Sequence, residues 1–260
     1  MSRKILVTND DGVDSPGVIA LAEALRPLGD VTVVAPDTDR SGIAHSISIK
    51  HPVRVQAIKG RAVPTYGCSG TPADCVVVGA FDLCGGLPEI VVSGINRGPN
   101  LGDDITYSGT VAAAIEGVLV GVKSVAISLA GNWPDDDFYH WESAGRVALE
   151  VAERTLQTEL PAQTLINVNV PNMAYEQLAG RRLTMQGRKL YTDRLERRTD
   201  PRGGIYYWIW GTFDKGQIRE QTDLEAVRDG LVSITPLSID RTDRGSLERL
   251  RASALWADVL

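Results

Sequence analysis

Cysteine and histidine are scarce in this chain, with three of each among 260 residues. Cys68, Cys75 and Cys84 include no C-x-x-C pair, and their number is odd. That argues against a disulfide framework or a cysteine zinc site and leaves three small buried hydrophobes. His45, His51 and His140 never stand at ligand spacing, so a histidine-based zinc hydrolase is disfavoured. His45 follows the Ser41 loop and reads as structural or solvent-facing. There is no long Lys/Arg run, and the net charge is −6. This excludes a nucleic-acid polymer as the main partner, although a metal or a helix end can still bind a small anion. No uncharged apolar stretch reaches membrane-spanning length, so no membrane partner is expected. The apolar run after Met1–Lys4 is broken at once by Asn9, Asp10 and Asp11, too early for a signal peptide, and a cytoplasmic location is expected. Three nucleotide and hydrolase signatures are also missing: the Walker loop, a G-x-G-x-x-G after the first strand, and the G-x-S-x-G elbow. Gly67-Cys68-Ser69-Gly70 misses the spacing of the last.

What is present is a globular α/β pattern, with 43% hydrophobic residues. Short β-branched runs at Lys4–Thr8, Val31–Ala35, Glu89–Ser93, Lys123–Ser128 and Gln163–Val168 read as strands. Helical patterns at Pro16–Leu25, Pro72–Phe81, Gly109–Val120 and Asp137–Leu156 alternate with them. Continuous apolar runs such as Ile90-Val91-Val92 imply strands buried on both faces. Alternation with helices then predicts βαβ units. The predicted class is α/β: a Rossmann-like, mostly parallel sheet flanked by helices, with a C-terminal hairpin arm and a terminal helix. Two or three extended pieces are inserted between Ile47 and Tyr66. Residues 1–180 form the core in this reading, and 181–260 an oligomerisation arm, a late strand (Leu231–Pro236) and a helix (Ser246–Leu260). In the arm, the charged stretch Arg181–Arg202 precedes Ile205-Tyr206-Tyr207-Trp208-Ile209-Trp210. An exposed aromatic strand of this kind marks an oligomer contact, or else packs back on its own domain.

The chemistry gathers in loops that follow strands. Asn9-Asp10-Asp11-Gly12 ends the first strand. In an open α/β sheet ligands bind at that carboxyl edge, and a carboxylate pair exposed at a loop there holds a hard divalent cation. Asp-Gly also serves as a plain turn. Ala35–Gly42 follows the second strand, and Ser93–Asp104 follows the strand at Ile90–Val92. Asn96 and Asn100, among Gly94, Gly98 and Gly102, can offer an oxygen to a metal or an amide to a phosphate, or can simply form turns. Ser108-Gly109-Thr110 opens an Ala/Gly-crowded helix whose free N–H groups suit a phosphate, beyond ordinary capping. Glu116, further along that helix, reads as structural and paired or facing an interface.

Val7-Thr8-Asn9-Asp10-Asp11-Gly12 with Ser15-Pro16-Gly17, then Ala35-Pro36 and Arg40-Ser41-Gly42, resembles the SurE family of nucleotidases. Gly70–Cys75, Ser93–Gly102, Tyr107–Val111 with Ala113-Ala114 and Glu116-Gly117, and Val232–Leu237 continue the likeness. The resemblance implies a metal-dependent phosphatase acting on nucleoside 5′- and 3′-monophosphates. It implies one divalent cation per subunit, Mg²⁺ or Mn²⁺, on Asp10, Asp11, Ser41 and Asn96. It implies a substrate phosphate near Asn100 and Ser108, Gly109 and Thr110, and a homodimer or homotetramer joined through the arm. In the expected mechanism Asp11 handles a proton, while Asn100 and the Ser108 helix start stabilise charge on the phosphoryl oxygens. Three rival readings stand beside it. An aspartyl-phosphate phosphatase needs an acid where Asn9 stands. A receiver-like Mg²⁺-binding signalling module needs a phospho-acceptor Asp where Ser93–Asn96 lies. A non-catalytic nucleotide-binding protein differs only in lacking turnover.

Overall fold

The computed structural model describes residues 2–131, 138–189, 191–213 and 218–256. In chain order the elements are β1 (Lys4–Thr8), α1 (Pro16–Leu25), β2 (Asp30–Pro36), β3 (Val55–Ala57), β4 (Thr65–Cys68) and α2 (Pro72–Val78). Next come β5 (Ile90–Arg97), α3 (Gly109–Leu119), β6 (Lys123–Ala130), α4 (Trp141–Gln157), β7 (Thr164–Pro171) and β8 (Gly180–Leu183). The chain continues with β9 (Tyr191–Thr199), β10 (Ile205–Phe213), α5 (Asp223–Arg228), β11 (Leu231–Ser238) and α6 (Arg244–Arg251).

Nine strands form one sheet in the order β3-β4-β2-β1-β5-β6-β7-β11-β8. From β4 to β7 every pairing is parallel, while β3–β4 and β7–β11 are antiparallel. The parallel strands are covered on both faces. α1 and α4 pack together on one side, and α2 and α3 on the other. Ile5 and Val7 of β1 face the first layer, and Leu6 faces the second. That two-sided burial is why these strands read as unbroken apolar runs. Gly17 permits the close approach of α1 to β5, since a Cβ there would lie 2.0 Å from the Ile95 carbonyl oxygen.

Caps written in the sequence set the helix starts. Ser15 Oγ accepts from the Val18 N–H ahead of Pro16, and Thr71 and Asp74 form a reciprocal capping box. The α2 pattern expected to reach Phe81 is α-helical only to Val78 and widens into a π turn over Gly79–Leu83. α4 begins at Trp141, and Asp137, its expected start, lies outside the described residues. Only β3 and β4 arise from the insert expected between Ile47 and Tyr66.

Three expectations for the C-terminal part change. Arg181–Leu183 is not part of an arm, because β8 pairs with β11 in the main sheet. The expected boundary at 180/181 therefore falls inside a strand, and only the β9–β10 hairpin forms a separate two-stranded sheet. The last helix spans Arg244–Arg251 with a short turn at Ala254–Trp256, and residues 257–260 lie outside the described residues. Cys68 and Cys75 are buried, while Cys84 is only partly so. Among the described residues no helix is long and apolar enough to cross a membrane.

Candidate functional site at the carboxyl edge of the sheet

β1 stands between β2 and β5, so the chain leaves it toward one side and later returns on the other. Such a reversal opens a crevice beyond the strand ends. Asp10 and Asp11 occupy it directly after β1. Asp10 is not exposed at its loop as the sequence led us to expect: it is 3% accessible. The start of α3 covers it. A Cβ on Gly109 would meet the Asp10 Cβ at 2.7 Å, so only glycine allows the contact. Thr110 donates to Asp10 twice, from its N–H to Oδ2 at 3.0 Å and from its hydroxyl to Oδ1 at 2.5 Å. The helix start expected to meet phosphate thus also holds a carboxylate. Burial raises the Asp10 pKa, although both Thr110 bonds pull it down.

Asp11 is partly exposed and accepts the Arg97 N–H at 3.1 Å. Burial first, and the Asp10 charge second, push its pKa up to about 6. Asn96 donates Nδ2–H to the Gly98 carbonyl at 2.9 Å, which turns its Oδ1 toward the Thr110 hydroxyl at 3.4 Å. The loop after β2 is fastened here by the Arg40 N–H, which donates to the Asp10 carbonyl at 2.7 Å. Ser41 comes next in the chain, its N–H bonded to Asp39 Oδ1. Asp39 was not singled out from the sequence, yet its charge bears on both Asp10 and Asp11.

Asn100 is buried and held at every backbone polar group. Its N–H donates to Asn169 Oδ1, and its carbonyl accepts from Asn167 and Asn169. Its Nδ2 donates to Ser128 Oγ at 2.8 Å. Ser108 is the N-cap of α3, its Oγ accepting from the Val111 N–H. Its own hydroxyl proton is not consumed by that bond. Glu116 is paired, as expected, with His45 Nε2 at 2.8 Å. Asn9, where a phosphatase nucleophile would stand, braces the turn instead, donating to the Gly12 carbonyl and to Ser15 Oγ.

The loop after β5 is locked from the far end of the chain. Asp223, fully buried, accepts from the Gly102 and Gly187 N–H groups, both at 2.8 Å. Gln186 Nε2 donates to the Gly102 carbonyl, and Lys189 pairs with Asp104. None of this was visible in the sequence, because the residues that hold the loop are 84 to 121 positions away from it.

Asp10, Asp11, Asn96 and Ser41 would offer only oxygen donors: two carboxylates, an amide and a hydroxyl. That set suits a hard cation such as Mg²⁺ or Mn²⁺. Two neighbouring carboxylates with raised pKa values are also a pair short of positive charge. Among the described residues no cluster of three or more His, Cys, Asp or Glu is arranged as a metal cage, so a softer all-protein site has no counterpart there. A cleft of about 320 Å³ opens beside Asp11 and Arg97. A larger hollow of about 590 Å³, behind α3 against Ile115 and Leu237, contains none of the four expected ligands.

The chain matches the family described as Survival protein SurE over residues 5–193. It is 47% identical over 253 residues to the 5′-nucleotidase SurE of Geobacter sulfurreducens, covering 97% of this chain and 94% of that protein. It is 48% identical over 249 residues to the 5′-nucleotidase SurE of Geobacter metallireducens, covering 95% and 96%. It resembles the crystal structure of the SurE protein from Aquifex aeolicus with a TM-score of 0.82 and 40% identity, over 95% of this chain and 98% of that one.

Proposed function

The chain belongs to the SurE family, and from that premise we propose that it is a metal-dependent 5′-nucleotidase that also accepts nucleoside 3′-monophosphates. The observation that carries the reading is the direct coupling of Asp10 to the first turn of α3. It joins the carboxylate proposed for the cation to the helix start proposed for the phosphate. Asp10, Asp11, Ser41 and Asn96 would hold the Mg²⁺ or Mn²⁺. The bound cation supplies Lewis-acid charge against the phosphoryl oxygens.

The remaining work falls to the chain. The N-terminal turn of α3 receives the substrate phosphate through the Gly109 N–H and the positive end of the helix dipole, while the Thr110 N–H stays on Asp10. The Ser108 hydroxyl and the Asn100 amide donate to its oxygens. Asn100 is already fixed by Ser128, Asn167 and Asn169, so its donor needs no reorganisation when charge builds up. Asp11 is the carboxylate proposed to accept a proton from the attacking water. Water adds to phosphorus as the ester bond to the nucleoside oxygen breaks, and that oxygen takes up a proton from solvent or from Asp11, giving nucleoside and inorganic phosphate. Assembly as a homodimer or homotetramer through the β9–β10 hairpin is supported by Tyr206, Tyr207, Trp208 and Ile209, which are exposed in succession on both faces of β10.

The test is phosphate release from AMP and GMP with Mn²⁺, against an EDTA control. Turnover is expected only with the metal. An Asp10→Ala variant is expected to lose more than about 100-fold, beyond what removing a mere supporting partner costs. Metal-independent release, or an active Asp10→Ala protein, overturns the site. Nucleotide binding without release would favour the non-catalytic reading.

A further inference from the structure

A stack of flat groups runs from the core to the cleft beside Asp11. Its base is Trp141 at the start of α4, whose ring would lie 3.1 Å from a Cβ placed on Gly17. The Tyr139 ring lies on Trp141, with centroids 5.2 Å apart and planes 19° from parallel. The Arg97 guanidinium lies over Tyr139, its Cζ 5.6 Å from the ring centroid. Tyr139 and Trp141 are partly buried against the main core, and Arg97 is exposed. The outermost layer is therefore a planar cation seated on an anchored aromatic pair.

Arg97 is also tied to the candidate site. It follows Asn96 in β5, and its backbone N–H holds Asp11. Its side chain lines the cleft of about 320 Å³ with Asp11, Asp14, Asp37 and Asp39. Among the described residues it forms no ion pair within 4.0 Å, although four carboxylates share its cleft. A second phosphate is a poor occupant of a cleft with that many acids. A flat, uncharged ring suits it, because guanidinium planes stack on nucleobases and the acids can accept from ribose hydroxyls and ring amino groups.

We propose that Arg97, backed by Tyr139 and Trp141, is the nucleobase platform of this enzyme, stacking the base of a nucleoside monophosphate whose phosphate lies at the start of α3. The proposal rests on the nucleotidase reading above. Stacking area grows with ring size, so purine substrates gain more from it than pyrimidines.

Arg97→Lys keeps the charge beside Asp11 and removes the flat face. The experiment compares kcat/KM for AMP with kcat/KM for ribose 5-phosphate, the same phosphate ester without a base, at saturating Mn²⁺. In the lysine variant the ratio of the two is expected to fall about 5- to 10-fold, carried by KM for AMP. Tyr139→Leu, which removes the ring beneath, is expected to lower the same ratio by a smaller factor, and thermal melts check that both variants are folded. A ratio unchanged in Arg97→Lys, or a wild-type enzyme that treats the two esters alike, overturns the platform. A wild-type protein that hydrolyses neither ester overturns the nucleotidase reading and the platform with it.

Discussion

At the carboxyl edge of the sheet polar side chains lie inside the protein, and along the β9–β10 hairpin apolar ones lie outside it. Asp10, Asn100, Thr110, Asn167 and Asn169 are 0–6% accessible. Tyr206, Trp208 and Ile209 are 40%, 57% and 84% accessible. A buried polar group and an exposed apolar patch are the two departures from ordinary packing that carry information. They differ in how each is completed. At the edge, Thr110 answers Asp10 and Asn169 answers Asn100, so these side chains are met within the chain. The hairpin's apolar row is exposed on this chain. In the reading proposed above, one region serves a cation and a small anion, and the other a second protein surface.

The contrast can be sharpened, starting with the largest expected effect. Thr110→Val keeps the N–H bond to Asp10 and deletes the hydroxyl bond. Mn²⁺ affinity, read by calorimetry, is expected to fall about 10- to 100-fold, the usual cost of losing a ligand's supporting partner. Unchanged affinity would mean that α3 does not organise the carboxylate. A second test uses protons as competitors. Asp11 must be ionised to bind a cation, and its pKa stands near 6. Affinity is therefore fully present above that pH and lost below it, with a fall of about 10-fold expected between pH 7 and pH 5 from this one group. A flat profile would exclude Asp11 as a ligand. The smallest effect on folding is expected at the hairpin. Trp208→Lys with Ile209→Lys should shift light-scattering mass toward the monomer while Tm moves by no more than about 2 °C, as for exposed positions. A large fall in Tm with unchanged mass would place these residues against their own domain.

Much of the edge could be read from the chain before its structure was known. Asn9-Asp10-Asp11-Gly12 followed an apolar run, and such a run signals a strand covered on both faces, which puts the next loop at a ligand-bearing edge. Ser108 before an Ala-rich helix marked the cap, and the structure has it there. The burial of Asp10 was not readable, because it depends on Gly109 and Thr110, about 100 residues away. The place of β8 was also hidden. Arg181-Arg182-Leu183 has neither alternation nor an apolar run, and it pairs at the margin of the sheet with its two arginines bound to Glu150 and Glu225. The Asn100 network left a trace that went unused. Asn167-Val168-Asn169 sets two amides inside a strand of apolar residues, where a polar group has to answer another polar group.

The lock on Gly102 has a consequence for how this protein is made. Asp223 lies 121 residues downstream of the loop it secures. A ribosome releases β1, β5 and α3 long before it reaches that aspartate. The nascent chain can thus assemble its parallel strands early, and Asn100 can be fastened once Ser128 and Asn169 have emerged. Gly102 waits for its lock until nearly the whole polypeptide has been synthesised, so the last fastening of the loop arrives late in translation, from a carboxylate outside the four candidate ligands.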